Sequence, residues 1–147
     1  MQRRSFLQLL TSAITAALMM PLSALAAIWN KAAFQSTDVA GAVEGLQISE
    51  PIPSDQIEIV APERAENGAV VQVEVRSRIP GSEAIAIFAE NNPTPLIANF
   101  MFSNGADPFV VTRIKMADSA EVRAIVKVGN RYYSAARHVV VLEDGCS

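Results

Sequence analysis

The stretch from Val71 to Arg76 is Val-Gln-Val-Glu-Val-Arg, in which apolar and polar residues alternate without interruption. Successive side chains of a β-strand point to opposite faces, so this alternation predicts a strand with one face in a core and the other in water. Residues 121–128 largely repeat the pattern, with Glu, Arg and Lys between apolar residues. Both stretches therefore predict half-buried strands of an antiparallel sheet.

Five other segments have a comparable composition, and turn-forming residues separate them. The segments are 57–61, 82–89, 97–102, 108–116 and 131–142. The turns contain Gly, Pro and Asn, as at Asn67-Gly68 and Asn104-Gly105. Seven short strands with no helix between them predict a mainly β protein, an immunoglobulin-like antiparallel β-sandwich. The Cys…Trp…Cys pattern of antibody domains is absent from the sequence, so the prediction concerns architecture only.

Helical spacing of apolar residues over 27–48 predicts one broken helix or two short helices before the strands. Asp38 is a candidate N-cap, and Gly45 a candidate stop. Residues 49–55 form a connector, because Pro51 and Pro53 each remove a backbone donor and restrict the preceding residue.

Two of the predicted strands, 84–89 and 97–102, are apolar on both faces. An apolar outer face needs a cover, since large exposed apolar patches usually mark interfaces. Two covers remain open from the sequence: the N-terminal helices of this chain, or a partner subunit. The two strands are therefore also the candidate positions of a partner interface.

The composition excludes several classes of protein. Among 147 residues there are one Cys and one His, which cannot form an internal disulfide or a structural zinc site of about four ligands. We expect no metal and no cofactor. Lys and Arg number 12 against 15 Asp and Glu, without a basic run, so no nucleic-acid partner is expected.

Residues 1–26 have the pattern of an export signal. Arg3 and Arg4 precede an apolar stretch, and Ala24-Leu25-Ala26 offers the small residues that signal peptidase accepts. The arginine pair followed by Phe and Leu favours the twin-arginine pathway, and an ordinary Sec signal is the alternative. Pro21 interrupts the apolar stretch, so a membrane anchor is not expected. The predicted location is the periplasm.

The single thiol lies after the last predicted strand. A domain over 27–142 would be followed by an arm over 143–147, made of Glu143, Asp144, Gly145, Cys146 and Ser147. Acidic neighbours disfavour a thiolate, and no Cys-x-x-C motif is present. We therefore interpret the thiol as the attachment point of a covalent adduct and not as a catalytic group. His138 is interpreted as a strand surface or interface residue. A buried thiol, an incidental thiol and an intermolecular disulfide in a structural or assembly subunit are the alternatives.

Three internal segments and the Gly-Cys pair resemble one protein family, SoxY. The segments are 61–71, 92–96 and 112–116, and the pair is Gly145-Cys146. SoxY is the sulfur-carrier subunit of the periplasmic thiosulfate-oxidising Sox system. The resemblance implies a non-enzymatic protein, an immunoglobulin-like fold and a heterodimer with a SoxZ-like subunit. It also implies that Cys146 carries a thiosulfate-derived adduct.

The same resemblance implies three enzymes that process the adduct: a c-type cytochrome complex that loads it, a hydrolase that releases sulfate and a sulfur dehydrogenase. The arm departs from the family pattern. The family arm typically has Gly-Gly-Cys-Gly-Gly, whereas this chain has Asp144-Gly145-Cys146-Ser147. Fewer glycines predict a stiffer and bulkier arm, and Asp144 places a negative charge beside the attachment point of an anionic substrate.

Overall fold

A computed structural model describes residues 30–143, in which two short helices precede nine strands. The helices are α1 (Lys31–Gln35) and α2 (Val39–Gly45). The strands are β1 (Ile52–Pro53), β2 (Ile57–Val60), β3 (Arg64–Ala65), β4 (Val71–Ser77), β5 (Ala84–Ala89), β6 (Leu96–Met101), β7 (Phe109–Ile114), β8 (Ala120–Val128) and β9 (Arg131–Val141). All seven predicted strands are present within this range, and the helical prediction is confirmed as two helices.

The strands form two sheets that face each other. One sheet has the order β1-β9-β8-β5-β6, with β3 also paired to β9, and the other has the order β2-β4-β7. Most neighbours are antiparallel, but β1 and β3 both run parallel to β9. These two strands have two residues each and no alternating pattern of their own, which is why local periodicity did not predict them. The predicted β-sandwich is confirmed.

The main core lies between the sheets and follows the predicted alternation. On β4, Val71, Val73 and Val75 are at most 1% exposed, while Gln72 between them is exposed. The facing sheet contributes apolar side chains from three strands, namely Ile85, Ile87, Ala89, Val122, Ala124, Val126, Val139 and Val141. Burial of one face of each sheet is the main source of stability, since burying apolar surface gives roughly 25 cal/mol per Å².

A second, smaller core lies on the outer face of β5. All six residues of β5 are buried. Phe88 is fully buried in a cluster with Ala33 of α1 and Ala42 of α2. The helices of this chain therefore cover the outer face of strand 84–89, which is one of the two covers left open by the sequence. The neighbouring β6 is an edge strand, and Met101 at its end is 75% exposed.

Both helices are short, but capping hydrogen bonds and a glycine define where they begin and end. The side chain of Asn30 accepts a hydrogen bond from the amide of Ala33, and that of Asp38 accepts one from Gly41 at 2.6 Å. Each bond satisfies one of the free amides at a helix start. Gly45 ends α2 where a Cβ atom would lie 2.8 Å from the backbone of Ala33, so only glycine permits this close approach. No helix within residues 30–143 is long and apolar enough to cross a membrane.

Candidate functional site at the end of β9

The last described residues, 141–143, are held against the segment around β3. Leu142 donates its main-chain N–H to Ala65 at 2.9 Å, and Glu143 donates to Glu66 at 3.1 Å. Val140 donates to Glu63 at 2.9 Å in the same series. The parallel pairing of β3 with β9 thus continues for two residues past the end of the strand.

Two further hydrogen bonds hold the same residues. The main-chain N–H of Gly68 donates to the carbonyl oxygen of Glu143 at 2.9 Å. On the β8 side, Val141 donates its N–H to the hydroxyl of Ser119 at 2.8 Å. Residues 141–143, which we call the arm root, are therefore held from both edges of β9. Glu143, the first residue of the predicted arm, has both main-chain polar groups hydrogen-bonded.

Further hydrogen bonds connect the arm root to two segments that are distant in the sequence. Gly68 accepts a hydrogen bond from the amide of Met116 at 2.7 Å. The side chain of Asn92 donates to the carbonyl of Lys115 at 2.6 Å and accepts from the amide of Ala117 at 2.8 Å. Segments 61–71, 92–96 and 112–116, which carry the sequence resemblance, thus form one continuous network that ends at the arm root.

The predicted site residues Asp144, Gly145, Cys146 and Ser147 lie outside the described residues, as does the predicted signal at 1–26. His138 is exposed on β9, opposite Glu121 in the β-ladder. This position agrees with its interpretation as a surface residue.

Sequence reasoning missed the part played by Ser119 and Gly68. The pair Asn67-Gly68 predicts only a turn, and no local signal marks Ser119, whose partner lies on another strand. Segment 92–96 contributes to the resemblance, but nothing in it predicts that Asn92 connects two segments. All three act through contacts between segments that are far apart in the chain.

Two other kinds of site are relevant in the rest of residues 30–143, namely a metal site and an activated nucleophile. Within residues 30–143 there is no cluster of three or more side chains suited to hold a metal ion. A cavity of about 430 Å³ lies at the opposite end of β4, between the loops at 77–83 and 102–108. The hydroxyls of Ser77 and Ser82 in its wall bond to each other at 2.7 Å, so this wall presents no activated nucleophile.

The two facing sheets define a β-sandwich domain, and the single Cys of the sequence comes three positions after Glu143. This chain belongs to the SoxY family, described as "Sulfur oxidation protein SoxY", which it matches over residues 44–146. The match begins within α2 and extends to Cys146, so the resemblance noted in the sequence is confirmed.

A solved structure, the sulfur carrier protein SoxY from Chlorobium limicola f thiosulfatophilum, is 41% identical in sequence with a TM-score of 0.58. The similarity covers 63% of this chain and 86% of that chain. A comparison with curated proteins gives no significant match.

Proposed function

We propose that this protein is a sulfur carrier that holds thiosulfate-derived intermediates covalently on Cys146 and presents them to the enzymes of a Sox system. Membership of the SoxY family supports the role, and the similar solved structure is itself titled a sulfur carrier. The observation on which the proposal rests is the position of the thiol. The only Cys of the chain follows three residues after Glu143, whose backbone is fixed to the sandwich.

The proposed loading step forms a disulfide-type bond between the Cys146 sulfur and the outer sulfur of thiosulfate. The thiol loses its proton, and two electrons pass to the c-type cytochrome of the loading complex, so the product is a cysteine S-thiosulfonate. Water then attacks the terminal sulfonate group, which leaves as sulfate with release of a proton. A persulfide remains on Cys146 for further oxidation by the sulfur dehydrogenase.

In this proposal the carrier contributes position and not catalysis. A hydrolase or an oxidoreductase needs a base or a second thiol close to its nucleophile. His138 lies on the strand surface, and no other Cys is present in the sequence. The catalytic groups therefore belong to the partner enzymes. A SoxZ-like subunit completes the proposed carrier as a heterodimer.

The proposed location is the periplasm, reached through removal of residues 1–26 after export by the twin-arginine pathway. That pathway exports folded proteins. The proposed arm, 143–147, has one glycine next to Cys146 and the acidic Asp144. We propose thiosulfate as the substrate, with partner enzymes that accommodate this charge.

Intact-mass analysis tests the proposal. Protein purified from cells grown on thiosulfate should carry additions of sulfur, or of sulfur with sulfonate, and dithiothreitol should remove them. The Cys146→Ser variant should carry none, and cells that depend on it should stop oxidising thiosulfate. An unmodified wild-type mass together with normal thiosulfate oxidation by Cys146→Ser cells would contradict the carrier role. A permanent dimer cross-linked through Cys146 on a non-reducing gel would favour a structural subunit instead.

A further inference from the structure

The fixed arm root limits how far Cys146 can travel. Cys146 lies three positions after Glu143 in the sequence. Since a fully extended chain spans at most about 3.3–3.6 Å per residue, the two Cα atoms lie within about 11 Å of each other. An active centre that excludes bulk water lies below the surface of its enzyme. An enzyme that acts on Cys146 must therefore bring the mouth of its cleft close to the arm root.

The surface around the arm root is partly apolar. Leu142 is 53% exposed and Val70 is 63% exposed. Both lie within two residues of the hydrogen bond between Gly68 and Glu143. They are two of the six large apolar side chains that are about half exposed or more in the described part of the chain. Exposed apolar residues around one site are typical of interaction surfaces.

The exposed acidic residues in the segments at the arm root outnumber the basic ones. Glu66 and Glu143 are both exposed, and their main chains are hydrogen-bonded to each other at 3.1 Å. Neither side chain is in an ion pair with a described residue. Asp144 follows directly in the sequence, and the exposed bases of the neighbouring segments are Arg64 on β3 and Lys115 next to Met116. An approaching surface with apolar contacts and basic residues around them would complement this arrangement.

We infer that Val70, Leu142, Glu66 and Glu143 belong to the surface on which the complex that loads Cys146 docks. We call these four residues the root face. This inference rests on the proposed carrier function. The partner is a protein whose cleft opens through an apolar rim with basic groups, since the same cleft must also attract an anionic sulfur substrate. The short reach of Cys146 makes contact with the root face a condition of transfer.

Steady-state loading of the carrier with thiosulfate by the cytochrome complex tests the inference. The variant Val70→Ser/Leu142→Ser removes both apolar side chains, and Val60→Ser/Val111→Ser removes two side chains of similar exposure on the other sheet, at 49% and 55%. Both double variants should fold, because substitutions at exposed positions change stability only slightly. The root-face variant should show about tenfold lower kcat/KM for the carrier through a higher KM, since docking loses apolar contact area. The control variant should match the wild type.

Charge reversal at Glu66 supplies a second readout. Glu66→Lys should lower kcat/KM and weaken its dependence on salt, while Glu58→Lys on the other sheet should do neither. Alkylation of Cys146 by iodoacetamide should be equally fast in wild type and in Val70→Ser/Leu142→Ser, because a small reagent needs no docking. Equal kcat/KM for loading of the two double variants would overturn the docking inference but not the carrier function. A wild-type protein that accepts no sulfur on Cys146 overturns the carrier function as well.

Discussion

Gly68 donates its main-chain N–H to the carbonyl oxygen of Glu143 at 2.9 Å, which joins the loop after β3 to the end of β9. The amide of Met116 in turn donates to the carbonyl of Gly68 at 2.7 Å. Gly68 is itself buried, so its polar groups depend on these partners. Gly68 therefore connects Glu143, where the proposed arm begins, to Met116, which lies just after the end of β7.

Replacement of Ser119 by Ala should loosen the arm root. Val141 is only 8% exposed, and its N–H would lose the hydroxyl acceptor that lies 2.8 Å away. An unsatisfied buried donor costs about 1–3 kcal/mol. Urea unfolding should show a loss in this range, and the amide of Val141 should exchange its hydrogen faster. Ser103→Ala, in an exposed loop, is the control. Equal stability of the two variants would show that the Ser119 hydroxyl does not hold the root.

Replacement of Phe88 by Ala should destabilise the isolated chain. Phe88 is fully buried between β5 and the two helices, and truncation of a buried Phe costs about 3–5 kcal/mol. The matched variant is Phe109→Ala, which removes a half-buried ring that lies 4.0 Å from the guanidinium of Arg76. Thermal unfolding of the purified chain should separate the two. The opposite result would be a Phe88 variant that is as stable as the wild type but no longer pairs with a partner subunit. That result would show that β5 forms a partner interface.

Replacement of Arg137 by Met should stabilise the protein. Arg137 pairs in register with the fully buried Val122, so its side chain starts on the core side of β9. Its Nε is buried without a hydrogen-bond partner among the described residues. Met keeps the length of the side chain and removes the donor, so we expect a gain of about 1 kcal/mol in the free energy of unfolding. Arg131→Met, at an exposed position of the same strand, should change stability by less than about 0.5 kcal/mol. A loss of stability for Arg137→Met would show that the guanidinium has a favourable contact.

Replacement of Asp144 by Gly should make the Cys146 thiol more reactive. Removal of a nearby negative charge favours the thiolate, which is the form that reacts with iodoacetamide. At low salt and neutral pH, alkylation should be about two- to threefold faster, as expected for one charge acting through water over a few ångströms. The difference should shrink in 1 M salt because the charge is screened. Ser147→Gly is the uncharged control. Equal rates for Asp144→Gly and wild type would show that the acidic side chain points away from the thiol.

Two of the predicted strands show most clearly how the sequence reports the structure. On β4 and on the first half of β8, apolar residues alternate with polar ones, and the apolar residues are the buried ones. Arg137 breaks this relationship on β9, where it occupies a position facing the core that a pattern of residue types would assign to solvent. β1 and β3, which pair with β9 in parallel, show no alternation of apolar and polar residues, because two-residue strands are too short to show a period.

The sequence by itself determined the strand-rich fold, the two short helices and the presence of a single thiol shortly after the last strand. These features depend on local alternation, on capping residues such as Asp38 and on residue counts. Only the tertiary structure decided that the helices cover Phe88, and that Ser119 and Gly68 hold the arm root. The reason is physical: side-chain alternation is a property of neighbouring residues, whereas these contacts form between segments that meet only when the two sheets pack.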